Sequence, residues 1–377
     1  MHIEIEHKPV NDIESTSILQ QTSFWAKVKQ KQGFKPKAFN IKVKSDNLKI
    51  KRATDKEIDH ATDDILVLVH TLNSDKQMAY VPYGPVLEPD DEIQGKYLEE
   101  LSETIQEHLS RNCVLIRYDL KWESPWSDDE TRYNEENNWL GPPNPEIQEL
   151  RINFGTRNRK LRKSVSDNLP SNTLFLELNK EPEILMKNMK PKTRYNIRLS
   201  QRKGVVVREI SDDHLDVWYD LYIQTASRNG ILLHDAEYFR NVLEVKKKDL
   251  KSPADVHLLL AEYNGMPLAG LFLVISGKRA TYLYGASSDK NRHLMATYAL
   301  QWEAIIRAKD LGCTEYDMFG VSQTVDRAHP LYGLYRFKKG FGGKLYHRMG
   351  CWDYPLQDND YALFRTSELN SQGYHLR

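Results

Sequence analysis

The order of strand-like and helix-like segments between residues 174 and 319 constrains the fold more than any other feature of the sequence. A strand, Leu174–Leu178, and a helix, Glu181–Lys203, come first, and a further strand and two helices follow. Three strands joined by turns come next, an arrangement that favours antiparallel pairing. They are His257–Glu262, Pro267–Ile275 and Arg279–Tyr284. A long helix and a short strand end the series, so this part of the chain predicts an α+β unit.

The first half of the chain repeats this order loosely, although no sequence is repeated. Its predicted elements are the strand His2–His7, the helix Ser23–Lys31, the strands Lys37–Val43, Ile65–Leu72 and Gln77–Val81, the helix Asp91–Asn112 and a strand from Val114. The charged segment 44–64 is expected to form a strand end and an exposed loop. At 377 residues the chain fits two domains better than one. We therefore predict two α+β units of the GNAT (acyltransferase) kind, one comprising residues 1–170 plus 345–377 and the other residues 171–344.

Charge and cysteine usage restrict the cellular setting more than the function. Lys+Arg and Asp+Glu both number 53, so net charge favours neither a nucleic-acid nor a membrane partner, although a basic face remains possible. The three cysteines are odd in number and far apart, which suits a reducing compartment. The N-terminus has no apolar signal core, and no apolar run approaches the roughly 18 residues that cross a bilayer. We expect a soluble, cytoplasmic protein.

Several catalytic motifs are absent from the sequence. The run around Gly343-Lys344 departs from a phosphate-binding loop, since Lys338 stands at the first glycine position and Leu345 at the last. The sequence contains no G-x-S-x-G elbow and no histidine pair with zinc spacing. We therefore expect no metal and no cofactor, and a reaction that starts from an activated acyl donor. A CoA-binding loop is not expected either, because no glycine lies between Asp289 and Ala299.

The segment from Thr314 to Gly343 contains the strongest candidate for chemistry. A short strand breaks at Gly320, and a turn of helix then carries Phe337-Lys338-Lys339 ahead of three glycines. Glycines let the backbone approach a ligand closely, and a lysine just before them can direct a positive charge into a cleft. From residue chemistry alone, the interpretation of Lys338 and Lys339 as solvated surface lysines is the favoured one.

Two clusters of basic residues flank the second half of the chain. The first lies in Arg151–Lys163 and includes Arg157, Arg159 and Lys160; the second lies in Lys187–Lys203 and includes Lys192, Arg194 and Arg198. Solvated helix faces balanced by nearby acids would explain either cluster by itself. Two clusters beside one domain also suit a polyanion such as an RNA backbone.

Nine short runs of the sequence carry information when they are taken together. The runs are Phe24–Lys29, Tyr80–Val86, Leu115–Asp119, Lys192–Arg198, Thr225 with Arg228–Ile231, Glu237–Phe239, Tyr282–Gly285, Tyr316-Asp317 and Leu334–Lys338. Together they resemble the FemABX family, the non-ribosomal peptidyltransferases of bacterial cell-wall assembly. They occur in the family's order and cover nearly the whole chain.

The resemblance implies a fold and a reaction. Members have two GNAT-like domains facing across a cleft, and they move an amino acid from aminoacyl-tRNA to an amine on the stem peptide of a peptidoglycan precursor. The first domain is then expected to bind the precursor and the second the aminoacyl-tRNA. The chain has no sustained heptad run, so it resembles the compact, armless members, expected to be monomers that contact the inner face of the membrane at most peripherally.

The resemblance also implies site residues. The family's catalytic Phe-Lys pair corresponds to Phe337 and Lys338, and its buried aspartate to Asp119. Substrate-binding positions correspond to Lys29, which would bind phosphate, and to Arg228, His234, Tyr238 and Tyr284. Armless members can carry an arginine for the precursor's diphosphate where this chain has His234. Histidine is only partly charged near neutral pH, which favours a lipid-linked over a nucleotide-linked precursor.

Other functions remain compatible with the same residues. A CoA-dependent N-acyltransferase would use the same fold, and a non-catalytic RNA-binding relative would keep the basic clusters without needing Lys338. A third alternative transfers aminoacyl groups to protein N-termini. In the favoured reaction Lys338 would stabilise the tetrahedral oxyanion. Asp119, with an ordinary pKa near 3.9, is a poor base for an amine and is expected to orient it instead.

Overall fold

The computed structural model describes residues 2–44, 60–73, 75–230, 234–248, 253–322 and 332–370. Apart from these gaps, the chain forms two compact units. The first comprises residues 2–14, Gln20–Ser171 and 347–370, and the second comprises Ser15–Leu19 and Asn172–Tyr346. Most of the charged loop predicted within residues 44–64 lies outside the described residues.

Both units are built from helices and strands. Up to Ser171 they are β1 (Ile3–Lys8), α1 (Ser23–Lys31), β2 (Lys35–Lys44), β3 (His60–Thr71), β4 (Gln77–Val81), α2 (Gln94–Gln106), β5 (Cys113–Glu123), α3 (Pro145–Ile152) and β6 (Arg162–Lys163). From Asn172 they are β7 (Asn172–Glu177), α4 (Pro182–Asn188), α5 (Pro191–Arg202), β8 (Val206–Ile210), α6 (Leu215–Asn229), α7 (Ala236–Lys248), β9 (Ala254–Tyr263), β10 (Met266–Ser276), β11 (Arg279–Ser287), α8 (Ala296–Asp310), β12 (Glu315–Asp317) and α9 (Tyr332–Gly340). The last two are β13 (Lys344–Pro355) and α10 (Asp358–Asn370).

The sheet of the first unit has the strand order β1-β2-β3-β4-β5-β13, with β6 pairing with β13. Its pairs are antiparallel except β4 with β5, which are parallel and are connected through α2. Fully buried side chains of α2, among them Tyr97, Leu98 and Leu101, pack in one core with Phe39 and Trp122. The apolar face of α2 therefore covers the sheet at the parallel pair.

The sheet of the second unit has the order β7-β12-β11-β10-β9-β8. It too contains one parallel pair, β11 with β12, connected through α8, while the other pairs are antiparallel. Ala304, Ile305 and Ala308 of α8 are completely buried against this sheet. The sequence-based prediction of an α+β fold is confirmed, since each unit has helices packed on a mostly antiparallel sheet.

Two sequence-based predictions of helix bounds were wrong for identifiable reasons. The single helix predicted over Glu181–Lys203 is two helices, because Pro191 holds the preceding Lys190 extended, at ψ 145°. The helix predicted from His293 begins at Ala296, after a 3-10 turn and a left-handed Met295. The C-terminal tail contains a helix, α10, that local patterning did not indicate. None of the helices in the described part of the chain is long and apolar enough to cross a membrane.

Candidate active site

Lys338 is buried inside the second unit. It lies in the last turn of α9 and is only 4% exposed. Its ammonium nitrogen donates to two backbone carbonyls, that of Gly320 at 2.7 Å and that of Phe319 at 3.2 Å. The same nitrogen lies 5.2 Å from the centre of the Tyr282 ring, a cation–π distance. The interpretation of Lys338 as a solvated surface lysine is therefore wrong.

Burial makes Lys338 far more acidic than an exposed lysine. Desolvation lowers its pKa from 10.5 to about 7, and the nearby Asp317 carboxylate opposes that shift. Near neutral pH the group is therefore divided between ammonium and amine, whereas an exposed lysine would be wholly charged. As an ammonium in a site with little water, it can stabilise a developing oxyanion more strongly than it would in solution.

The neighbouring aromatic and glycine residues fix α9. The Phe337 ring packs edge-on against Tyr298 and Phe341, each at 5.1 Å between centroids. Gly340 permits the helix to touch α5, since a Cβ at that position would lie 2.3 Å from the Thr193 hydroxyl. Lys339, in contrast, is half-buried and donates to the Tyr335 hydroxyl at 2.8 Å. The two adjacent lysines thus occupy different environments.

The turn that presents the two carbonyls to Lys338 follows strand β12. Phe319 has a left-handed backbone, φ 55°, which ends the strand two residues earlier than the sequence predicts. Its N–H donates to Oδ1 of Asp317 at 2.8 Å, an Asx-type turn. No role was assigned to Asp317 from the sequence. An aspartate at the end of a strand, just before a break in that strand, is the sequence signal that could have indicated this turn.

A second group of side chains in this unit surrounds His234. The exposed imidazole stacks on the Tyr238 ring with centroids 4.2 Å apart and planes 13° apart. The Tyr238 and Tyr284 hydroxyls are hydrogen-bonded to each other. Burial and that contact raise the pKa of Tyr284 well above its ordinary range, so Tyr284 remains a neutral phenol. The sequence-predicted residues His234, Tyr238 and Tyr284 therefore form one contiguous polar–aromatic surface.

Arg228, the remaining predicted substrate-binding residue of this unit, is held by the protein itself. Its guanidinium donates to the Ser287 carbonyl at 3.1 Å and to the Asp289 carboxylate at 3.0 Å. These contacts fasten α6 to the end of β11. The structure thus gives Arg228 a bracing role that the resemblance did not imply.

Asp119 is completely buried in the first unit, on β5. Its Oδ2 accepts from the Leu169 N–H at 2.8 Å and from the Tyr80 hydroxyl at 3.0 Å. Its Oδ1 has no hydrogen-bond partner within the described residues. Burial, assisted by the charge of Asp167, raises the pKa of Asp119 to about 6. Even so, this carboxylate remains a much weaker base than an amine.

Lys29 is partly buried at the end of α1, also in the first unit. Its ammonium nitrogen donates to Gln32 at 2.9 Å and lies 5.1 Å from the Trp25 ring and 5.6 Å from the Phe34 ring. Desolvation lowers the pKa of Lys29 to about 8. It therefore remains mostly cationic at neutral pH, as binding of a phosphate requires.

The two basic clusters differ in how their charges are balanced. In the first, Arg157 pairs with Glu103 and Lys160 approaches Asp358 at 4.0 Å, while Arg159 stands at a left-handed turn, φ 51°. In the second, Arg194 caps α4 by donating to the carbonyls of Lys187 and Met189. Lys192 and Arg198 of α5 are exposed, and neither has an acidic partner in the part of the chain described here.

Comparison with known proteins identifies the family. The sequence signature described as the FemAB family matches residues 6–264 and 254–368, nearly the entire chain. The chain belongs to the FemAB family. The resemblance drawn from the nine sequence runs is thereby confirmed.

Relatives of this FemAB protein include enzymes of two staphylococci. It is 24% identical over 251 residues to a lipid II:glycine glycyltransferase of Staphylococcus epidermidis, an alignment covering 52% of this chain and 60% of that protein. The corresponding protein of Staphylococcus aureus is 24% identical over 258 residues, with 52% and 61% covered. The chain thus spans less than two thirds of the length of these relatives.

Solved structures support the fold of this FemAB protein. The crystal structure of FemX superposes with a TM-score of 0.70 at 18% identity, covering 96% of this chain and 100% of FemX. A tandem GNAT protein from the clavulanic acid biosynthesis pathway gives a TM-score of 0.51 at 10% identity, covering 94% and 98%. The sequence-based prediction of GNAT-like architecture is confirmed. Within the described residues, no group of three or more His, Cys, Asp or Glu side chains is arranged to hold a metal ion.

Proposed function

We propose that this protein is an aminoacyltransferase that moves an amino acid from aminoacyl-tRNA to the side-chain amine of the stem peptide of a peptidoglycan precursor. The observation that carries the proposal is the buried ammonium of Lys338, fixed by two carbonyls in a member of the FemAB family. A desolvated fixed cation is what a tetrahedral oxyanion requires, and the reaction needs neither metal nor cofactor. In the cell wall such a reaction builds the interpeptide bridge.

The chemical steps follow from the groups present. The acceptor amine attacks the ester carbonyl of the charged tRNA, forming a carbon–nitrogen bond and an oxyanion that Lys338 stabilises. Collapse of this intermediate breaks the ester carbon–oxygen bond, and the ribose oxygen leaves with the proton that the amine loses. Phe337, packed against Tyr298 and Phe341, holds α9 and therefore Lys338 in place. Asp119 orients the amine through its Oδ1 acceptor, since its pKa of about 6 is too low for efficient proton removal.

Binding roles are divided between the two domains in this proposal. Domain 1, residues 1–170 plus 345–377, binds the precursor, and its Lys29 contacts the diphosphate. Domain 2, residues 171–344, takes the aminoacyl-tRNA, with the ring surface of His234, Tyr238 and Tyr284 beside the reacting groups. The acceptor we favour is lipid-linked, because relatives of this chain are named for lipid II and because His234 replaces the arginine of some armless members. We further propose a cytoplasmic monomer that reaches such a substrate by peripheral contact with the membrane.

The proposal is tested by incubating the purified protein with charged tRNA and either the lipid-linked or the nucleotide-linked precursor, and then weighing the products. We expect a mass increase of one aminoacyl residue on the lipid-linked precursor. The Lys29→Met variant should raise the KM of the precursor while the KM of the tRNA changes little. Transfer to neither precursor, together with saturable binding of acetyl-CoA, would instead indicate a CoA-dependent acyltransferase.

A further inference from the structure

Asp317 is a buried carboxylate at the end of β12 that the proposed chemistry has not used. It is 3% exposed, and its Oδ1 accepts two hydrogen bonds, one from the Phe319 N–H at 2.8 Å and one from the hydroxyl of Thr173. Thr173 is itself completely buried on β7. The Asp317 carboxylate is thus held by a strand on one side and by a turn on the other, and we call this carboxylate, with the Thr173 hydroxyl, the anchor.

The anchor determines the shape of the turn. A non-glycine residue in the left-handed region is disfavoured, so Phe319 at φ 55° needs support from its surroundings. The Asp317 carboxylate supplies it at the Phe319 N–H, while Met318 and Val321 donate to the carbonyls of Leu174 and Asn172 at 2.9 and 3.0 Å. This conformation directs the carbonyls of Phe319 and Gly320 at the Lys338 nitrogen.

The anchor also supplies charge where Lys338 is desolvated. Among the residues that the structure describes, the Asp317 carboxylate from β12 and the Tyr282 ring from β11 face this part of α9. On α9 itself, Lys339 is directed at Tyr335 and Arg336 at Tyr332, and on α5 the guanidinium of Arg194 is engaged by carbonyls. Burial lowers the pKa of Lys338, and Asp317 is the acid whose charge opposes that change.

We propose that Asp317, held in place by Thr173, is a positioning residue for the transfer reaction: it fixes the carbonyl pair that orients the Lys338 ammonium and places a negative charge near that group. The inference rests on the proposed role of Lys338. It assigns two separable contributions to the anchor, a charge and a geometry.

Two substitutions separate these contributions. Asp317→Asn keeps an oxygen acceptor for the Phe319 N–H and removes the charge, so the Lys338 pKa should fall by about one unit. The alkaline limb of the kcat–pH profile should then move to lower pH, with kcat about tenfold lower at pH 8 and both KM values unchanged. Thr173→Val keeps the Asp317 charge and removes the hydroxyl that donates to it. The value of kcat should therefore fall by a factor that is constant across the pH range, and the alkaline limb of the kcat–pH profile should not move.

A direct titration makes the test independent of catalysis. The Lys338 13Cε resonance, assigned by its absence from Lys338→Met, should titrate at lower pH in Asp317→Asn and at the wild-type midpoint in Thr173→Val. Glu315→Gln is the matched control, because it removes a carboxylate from the same strand, one that is paired with Arg279. It should leave both the midpoint and kcat unchanged.

The inference is overturned if the Lys338 midpoint in Asp317→Asn equals that of the wild type. It is also overturned if both variants lose activity only in proportion to a lowered Tm, with no change in the pH profile. If Asp317→Asn does not fold, Thr173→Val decides, and an unchanged kcat there would refute the positioning role. Wild-type transfer by Lys338→Met would instead refute the proposed function, whatever the titration shows.

Discussion

At the scale of single residues, the burial of Lys338 lowers the stability of the protein and favours its proposed chemistry. An ammonium that is only 4% exposed has lost most of its hydration, and two carbonyls and one aromatic ring replace it incompletely. That cost is visible as the lowering of its pKa to about 7. Retention of such a group is expected at a functional site, where strain is tolerated for the sake of reactivity.

The same residue makes stability depend on pH in a definite direction. The folded pKa of Lys338 is about 7 and the unfolded value is 10.5, so between these pH values the unfolded chain binds a proton that the folded chain does not. The free energy of unfolding contributed by Lys338 therefore rises with pH, by up to about 1.4 kcal/mol per pH unit. Urea unfolding of wild type and Lys338→Met should be measured at pH 7 and at pH 9. The free energy of unfolding of the wild type, relative to that of the variant, should be higher at pH 9 than at pH 7. A difference that stays constant would mean that Lys338 ionises as an exposed lysine does.

The sequence could indicate Lys338 but not the groups that control it. Lys338 stands in a run that resembles the family's, beside glycines that a local search finds. Asp317, Thr173 and Tyr282 come from three different strands: Tyr282 contacts Lys338 and Thr173 contacts Asp317 only through tertiary packing. Likewise, Arg228 matched a family run, whereas its engagement by Asp289 depends on the path of β11.

At the scale of elements, α5 is a helix with one buried face and one basic face. Thr193, Asn196, Ile197 and Ser200 are buried, while Tyr195 is 57% exposed between Lys192 and Arg198. An aromatic ring flanked by cations that pair with no acid of the described chain suits an RNA backbone and its bases. The first basic cluster offers less free charge, since Glu103 and Asp358 lie against it.

This contrast predicts different outcomes for the two clusters. Replacing Lys192 and Arg198 by alanine should weaken binding of charged tRNA and reduce the slope of log affinity against log salt by about one for each phosphate that is no longer neutralised. Arg157→Ala is the control and should change binding less, because Glu103 already neutralises that guanidinium. Filter binding at several salt concentrations measures both. Equal reductions of affinity in the two clusters would refute the assignment of tRNA binding to α5.

Elements were predictable where their signals are local. The apolar stripe of α2 and the turns between β9, β10 and β11 are present in the sequence. The three strands lie within three residues of their predicted bounds, whereas α2, predicted to end at Asn112, ends at Gln106. Helix α10 has a weak local signal, with Leu363 and Leu369 exposed, and it is held by distant residues. The buried guanidinium of Arg117, on β5, donates hydrogen bonds to the carboxylate of Glu368 on α10 and to that of Asp353 on β13. Such a contact cannot be inferred from sequence patterns.

At the scale of the whole molecule, the two units share most of their strand order; they differ in that β13 comes last along the chain in its sheet and β7 comes first in its sheet. Each has a mostly antiparallel sheet with a single parallel pair, β4 with β5 in one and β11 with β12 in the other, connected through a helix. The order of elements in the sequence predicted this similarity without any repeated sequence. The chain belongs to the FemAB family, and the residue on which the proposed transfer reaction depends lies in the second unit. There Lys338 lies beside Tyr282 of β11, one strand of the parallel pair.

The central claim, that Lys338 serves aminoacyl transfer from tRNA, is tested most directly by single-turnover transfer with charged tRNA and a lipid-linked precursor. Lys339→Met is the internal control, because it alters the adjacent, half-buried lysine of the same helix. We expect wild type and Lys339→Met to transfer at similar rates, and Lys338→Met to be slower by about a hundredfold or more, the usual loss for one oxyanion donor. Substrate binding should be unchanged in all three. Equal rates for the two methionine variants, or no transfer by the wild type, would contradict the account.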